Sequence, residues 1–155
     1  MPIPSDQLAP LCLKWANGNK PAADFLYTWA QIVRRADDIA DGDSADPVGD
    51  MGALLVQCLV DVSGNPFFQA NAPTLSVAMA NAIALWVKSE DWRTSENRKT
   101  RMFGFIGRET CEHVTYAVAL MTGGYAHQLA VIEDIQAISH KTSPEQFEAW
   151  EKEIR

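Results

Sequence analysis

Apolar residues recur along most of this chain at steps of three and four, the spacing that lines one face of an α-helix. Phe25, Trp29, Ile32, Ala36 and Ile39 fall at i, i+4, i+7, i+11 and i+14. They form a single stripe on a helix that Pro21 opens and that reaches about Asp41, before Gly42. Gly42, Pro47, Gly49 and Gly52 then read as a loop. A second apolar segment, Met51–Val62, stops at Ser63-Gly64. Asn65-Pro66 supplies an N-cap and a first helical residue for a short turn, Pro66–Gln69. Pro73 opens a longer helix that reaches about Glu90. Another helix is predicted over Lys99–Thr122, with Gly104 and Gly107 as points of bending and Gly123-Gly124 as its end. Tyr125–Ser139 follows. The last helix has Ser143 as N-cap, Pro144 in its first turn and Gln146 completing a capping box. No segment alternates with period two between hairpin turns. The pattern predicts an all-α fold, a bundle of six or seven helices forming one domain over residues 1–155.

Composition narrows the function classes. A chain of 155 residues fits one domain and needs no disulfide or metal to complete a core. Its 47% apolar content is too high for intrinsic disorder. Thirteen basic against twenty acidic residues give a formal charge of −7. That argues against nucleic-acid binding and against a polybasic membrane anchor, both of which need positive charge. Cys12, Cys58 and Cys111 are widely spaced with no CxxC pair, and read as buried, reduced thiols. The N-terminus MPIPSDQLAP lacks the basic and apolar regions of a signal peptide. No uncharged apolar stretch is expected to reach the roughly 18 residues of a membrane span. The expected compartment is the cytoplasm.

The densest chemistry lies in Arg34-Arg35-Ala36-Asp37-Asp38-Ile39-Ala40-Asp41-Gly42-Asp43, with four carboxylates in seven residues; Asp46 and Asp50 extend the run. Asp37 and Asp41 project side by side at the edge of the apolar stripe. For stability alone this is a poor arrangement. Like charges at i,i+4 repel by about 0.2–0.5 kcal/mol per pair. Acids at a helix C-terminus oppose the dipole at about 0.3–1 kcal/mol each. Arg34, four residues before Asp38, offsets part of this. A hard divalent cation such as Mg²⁺ would reverse the sign, because it prefers oxygen ligands and keeps waters for a phosphate partner. A solvated Asp-rich helix end is the alternative.

Tyr27-Thr28-Trp29-Ala30, followed by Arg34-Arg35-Ala36-Asp37-Asp38-Ile39-Ala40-Asp41, resembles the first aspartate-rich motif of class I isoprenoid synthases, in particular the squalene/phytoene synthase branch. The resemblance implies an all-α fold in which two acidic motifs on facing helices hold Mg²⁺ against a prenyl diphosphate. It implies Asp37, Asp38 and Asp41 as metal ligands. His127-Gln128-Leu129-Ala130 with Glu133 and Asp134 is similar to the region around that family's second acidic cluster. A looser likeness, through the same Asp-Asp-x-x-Asp and Asn65-Pro66-Phe67, is to small phage-encoded helical proteins of unknown function.

A second acidic site is also expected on Lys99–Thr122. Met102, Ile106, Glu109, His113, Ala117 and Leu120 share one stripe, so Glu109 and His113 should be partly buried and need partners. They can pair with each other, or Glu109 can be a metal ligand supported by His113 or Glu112. The Glu109/Glu112 spacing resembles that of all-α nucleotide pyrophosphatases. His140, near a helix end, reads as structural. Five basic residues lie within positions 93–108. Arg34, Arg101, Arg108 and His113 are the candidate substrate contacts.

Two readings follow. One is a Mg²⁺-dependent enzyme, or an enzyme-derived domain, acting on a small-molecule diphosphate, with metal ligands drawn from Asp37, Asp38, Asp41, Glu109, Glu133 and Asp134. The other is a non-catalytic helical protein that binds a protein partner through an acidic face. A homodimer stays open under both.

Overall fold

The computed structural model describes residue 3, residues 5–140 and residues 146–153. Those residues are helical, with no strand among them, as the hydrophobic pattern predicts. The chain divides into two compact units, one comprising Ser5–Ala72 and the other running from Pro73 onward.

The first unit contains α1 (Ser5–Trp15), α2 (Lys20–Asp41) and α3 (Pro47–Val56), which continues as a π-helical turn, Gln57–Val62. Sequence signals agree on α2. The Asn19 side chain accepts from the Ala22 amide, and Pro21 occupies the first turn. Gly42 closes the helix in the left-handed region at φ 80°, with its amide bonded to the Asp38 and Ile39 carbonyls. Phe25, Trp29 and Ile32 of the apolar stripe are buried, together with Cys12 and Trp15 of α1. The Phe25 ring meets Phe68 at 5.8 Å and Phe67 at 6.4 Å. Helix α1 escapes the sequence reading, because Pro10 interrupts a short segment that holds only three turns.

The second unit contains most of α4 (Pro66–Arg93), then α5 (Arg98–Gly107), a 3₁₀ turn (Arg108–Cys111), α6 (Glu112–Ile135) with a π-helical end (Gln136–His140), and α7 (Phe147–Trp150). Four boundaries differ from expectation. The loop over Gly42–Gly52 is shorter, because Pro47 starts α3 with Asp46 capping it. Pro73 does not open a new helix but lies inside α4, where it removes one hydrogen bond without a stop. The helix expected over Lys99–Thr122 is broken by the 3₁₀ turn. The Ser143 and Pro144 signals lie outside the described residues, while Gln146 is extended and caps α7 with no side-chain bond.

One expectation about length is corrected. Helix α4 is long and apolar enough to cross a membrane by length and composition, with a window of mean hydropathy 1.2 that is 11% buried. Its Asn, Gln, Thr and Ser residues hide the absence of any charge between Asp61 and Lys88.

Helix α7 is held to α5 by rings and to the end of α4 by charge. Trp150 is fully buried, and Phe105 lies 5.6 Å from its ring. Arg93, itself 4% exposed, stands over Trp150 at 4.6 Å and pairs with Glu90 and Glu153 at 3.2 Å.

Candidate metal centre

Helix α6 is bent back on itself at Gly124, whose φ of 78° and ψ of −178° only glycine adopts readily. Residues 112–123 and 125–135 are therefore two arms. Gln128 Nε2 donates to the Tyr116 carbonyl at 3.1 Å. In a straight helix twelve residues would span about 18 Å. The reversal returns His140 to the start of the first arm, where its Nε2 lies 3.0 Å from Glu112 Oε2.

Glu109 joins them for a local reason. It sits in the 3₁₀ turn Arg108–Cys111, three residues before Glu112. Three residues complete one 3₁₀ turn, so side chains at i and i+3 eclipse. Thr110 is buried and pins the turn by donating its hydroxyl to the Gly107 carbonyl at 2.7 Å. The result is a group of Glu109, Glu112 and His140, all half-buried, whose ligand atoms lie within 4.8 Å of one another. Two ligands about 2.1 Å from one ion can stand no more than about 4.2 Å apart. Side-chain rotation of about half an ångström would bring the three donors onto one cation.

The group lines a cleft of about 440 Å³ with Phe105, Ile106, Thr110, His113, Tyr116 and Gln136. The Tyr116 hydroxyl donates to Glu112 Oε2 at 3.1 Å. Burial pushes the Tyr116 hydroxyl well above the ordinary range, and the neighbouring Glu112 charge pushes it the same way. His113 is exposed, its ring 5.4 Å from that of Tyr116.

The stripe Met102, Ile106, Glu109, His113, Leu120 does not face a core. Met102, Ile106 and Leu120 are exposed, whereas Gly104, Gly107, Thr110, Val114 and Val118 are buried. Glu133 is exposed, Asp134 is half-buried, and neither belongs to the group of Glu109, Glu112 and His140. Arg101 donates to Glu151 at 2.9 Å and to the Ser95 carbonyl at 2.7 Å, so its fork engages the end of α7. Arg108 is half-buried in the 3₁₀ turn beside Glu109.

The aspartate run lies in the other unit. Asp37, Asp38 and Asp41 are half-buried. Arg34 and Asp38 form an exposed pair at 3.9 Å. Asp46 accepts from the Gly49 amide as the N-cap of α3. Asp50 accepts from Ser44 Oγ at 2.6 Å and from Arg35 Nε at 3.2 Å. The Ser44 hydrogen bond, followed by Arg35, holds the Asp50 carboxyl below its usual value. Arg35 also engages Gln57, which donates to Gln31 at 3.0 Å. Part of the run therefore caps and braces helices.

Sequence reasoning passed over His140, whose contact appears only after the chain reverses at Gly124. The Glu109/Glu112 spacing was the signal that could have led to it. Comparison with known protein families, curated proteins and solved structures finds no match to the chain.

Proposed function

We propose that the protein binds a divalent cation through Glu109, Glu112 and His140 and uses it to act on a small-molecule diphosphate. The observation that supports this reading is the convergence of two carboxylates and an imidazole on the wall of one open cleft. An imidazole among the donors favours Mn²⁺, Fe²⁺ or Zn²⁺ over Mg²⁺, which prefers oxygen. Among the described residues, no Lys or Arg lines the cleft. The cation would therefore supply the positive charge that a diphosphate needs, polarising a phosphoryl oxygen and lowering the pKa of a bound water. Tyr116, protonated at neutral pH, can donate a hydrogen bond on the same wall. The aspartates at 37, 38 and 41 are a separate candidate for Mg²⁺ in this reading.

The test is thermal melting with Mn²⁺, Zn²⁺ or Mg²⁺ added to the wild type, to Glu109→Gln/Glu112→Gln and to Asp37→Asn/Asp41→Asn. A ligand at a hundredfold excess over its Kd stabilises the native state by about 2.7 kcal/mol. Mn²⁺ or Zn²⁺ should raise the melting point of the wild type and of the aspartate variant, and leave the glutamate variant unmoved. Equal shifts in all three proteins would remove the site. Release of inorganic phosphate or pyrophosphate from a panel of nucleoside and prenyl diphosphates then tests the chemistry.

A further inference from the structure

The segment from Pro47 to Val60 is apolar almost throughout, and a helix of that kind is ordinarily buried. Here none of α3 is buried. Val48, Met51, Leu55, Val56, Leu59 and Val60 are each between 43% and 84% exposed. Met51, Leu55 and Leu59 make one i+4 ridge; Val48, Gly52, Val56 and Val60 make the next, with a gap at the glycine. The π-helical turn after Val56 holds more than four residues per turn, which keeps Leu59 and Val60 nearly in line with Leu55 and Val56. The one charge inside the segment, Asp50, is engaged by Arg35 and Ser44.

We infer that this face is the contact through which two copies of the chain associate. Area and charge identify the occupant. Six side chains at these exposures offer roughly 600 Å² per copy, so a two-fold pair removes roughly 1,200 Å², the lower edge of a stable interface. A two-fold contact must be self-complementary, and a ridge of large residues beside a row notched at Gly52 offers its own copy both a ridge and a gap to receive one. Interlocking i+4 ridges cross at about −50°. That angle brings the uncharged centres together and splays the acidic ends, where Asp46 and Asp61 stand. A lipid surface fits less well, because positions 36–87 hold no Lys or Arg to meet anionic headgroups. A basic helix from another protein would match the acidic ends, and salt tells it from a second copy. Screening relieves like-charge repulsion between two copies, but weakens attraction to a basic partner.

The test is sedimentation equilibrium of the full chain at about 50 mM and about 500 mM NaCl, a range over which screening becomes strong. The wild type should be a dimer that tightens at least severalfold with salt. Leu55→Asp/Leu59→Asp should be a monomer with unchanged far-ultraviolet circular dichroism, since both side chains are exposed in the single copy. Leu59→Met should remain a dimer. A wild type that stays monomeric at 100 μM would overturn the inference, as would a dimer indifferent to the aspartate substitutions. A monomer that co-floats with phosphatidylcholine vesicles would overturn it in favour of a membrane.

Discussion

Glu112 and His140 are 28 residues apart in sequence and 3.0 Å apart in space. Two features close that distance: the reversal at Gly124, and the π-helical end that carries His140 beyond Ile135. The first is the more vulnerable, because Gly124 combines a φ of 78° with a ψ of −178°. Backbone in that region costs a residue with a Cβ about 1–3 kcal/mol.

Gly124→Ala should therefore lower stability by about 1–3 kcal/mol. Nothing stands within 4 Å of an added Cβ, so the penalty is conformational rather than steric. Gly123→Ala differs, since its Cβ would come within 2.6 Å of the His127 Cβ as well as its ring, so its penalty is steric and backbone must shift. Urea denaturation of both variants measures the cost. Mn²⁺-induced stabilisation should fall in Gly124→Ala, because the His140 arm is displaced from the Glu112 arm.

Tyr116 gives the cleft a spectroscopic reporter. Its hydroxyl pKa is raised first by burial and then by the negative charge and hydrogen bond of Glu112. A group raised in the folded state stabilises the protein fully below its unfolded value, near 10, and loses that contribution as pH climbs toward the folded value. Stability should thus fall above about pH 10. In Glu112→Gln the phenolate absorbance at 295 nm should appear at lower pH than in the wild type, yet still above free tyrosine, because burial persists. An unchanged titration in Glu112→Gln would show that the two side chains do not interact in solution.

Helix α2 was legible because the local signals agreed: Pro21, the stripe from Phe25 to Ile39, and Gly42. Gly123-Gly124 was legible as the end of a helix, and the structure places there a sharp kink at Gly124 between two helical arms. The core face of α5 and α6 was not. Hydrophobic periodicity selects large side chains and so chose Met102, Ile106 and Leu120. The buried face uses small residues instead, Gly104, Gly107 and Thr110, which allow close helix approach. The 3₁₀ turn between them changes the angular step from residue to residue, so no single stripe runs through both helices. Glu109 was legible as a partly buried acid, but through a stripe whose Met102, Ile106 and Leu120 are in fact exposed. His140 was illegible because its partner is distant in sequence.

Gly104 is the close-approach position in its unit. A Cβ there would meet Trp150 Cη2 at 3.0 Å, the Ser89 carbonyl oxygen at 3.2 Å and Trp92 Cβ at 3.2 Å. One contact is backbone and another is a fully buried ring, so little can yield. Overpacking of this kind costs about 1–3 kcal/mol, more than the helix propensity gained from alanine. Gly104→Ala should lower the melting point, and Trp150 should become more accessible to acrylamide as α7 is pushed off α5. Gly64→Ala, where an added Cβ meets nothing within 4 Å, is the control and should hold or raise stability.

The three thiols, all free, should separate by reactivity. Cys58 is exposed, Cys111 is half-buried and Cys12 is 2% exposed. Burial raises both Cys58 and Cys12, but Cys12 far further, to about 12. The thiolate is the attacking species, so at pH 8 almost none of native Cys12 is reactive, and its burial excludes the reagent as well. With a disulfide reagent such as dithionitrobenzoate, one thiol should react first, and Cys58→Ser should abolish that phase. Cys12 should react only when the first unit opens, so its rate should rise with urea in proportion to the unfolded population. A Cys12 that labels as fast as Cys58 in native buffer would mean that α1 does not stay packed on α2.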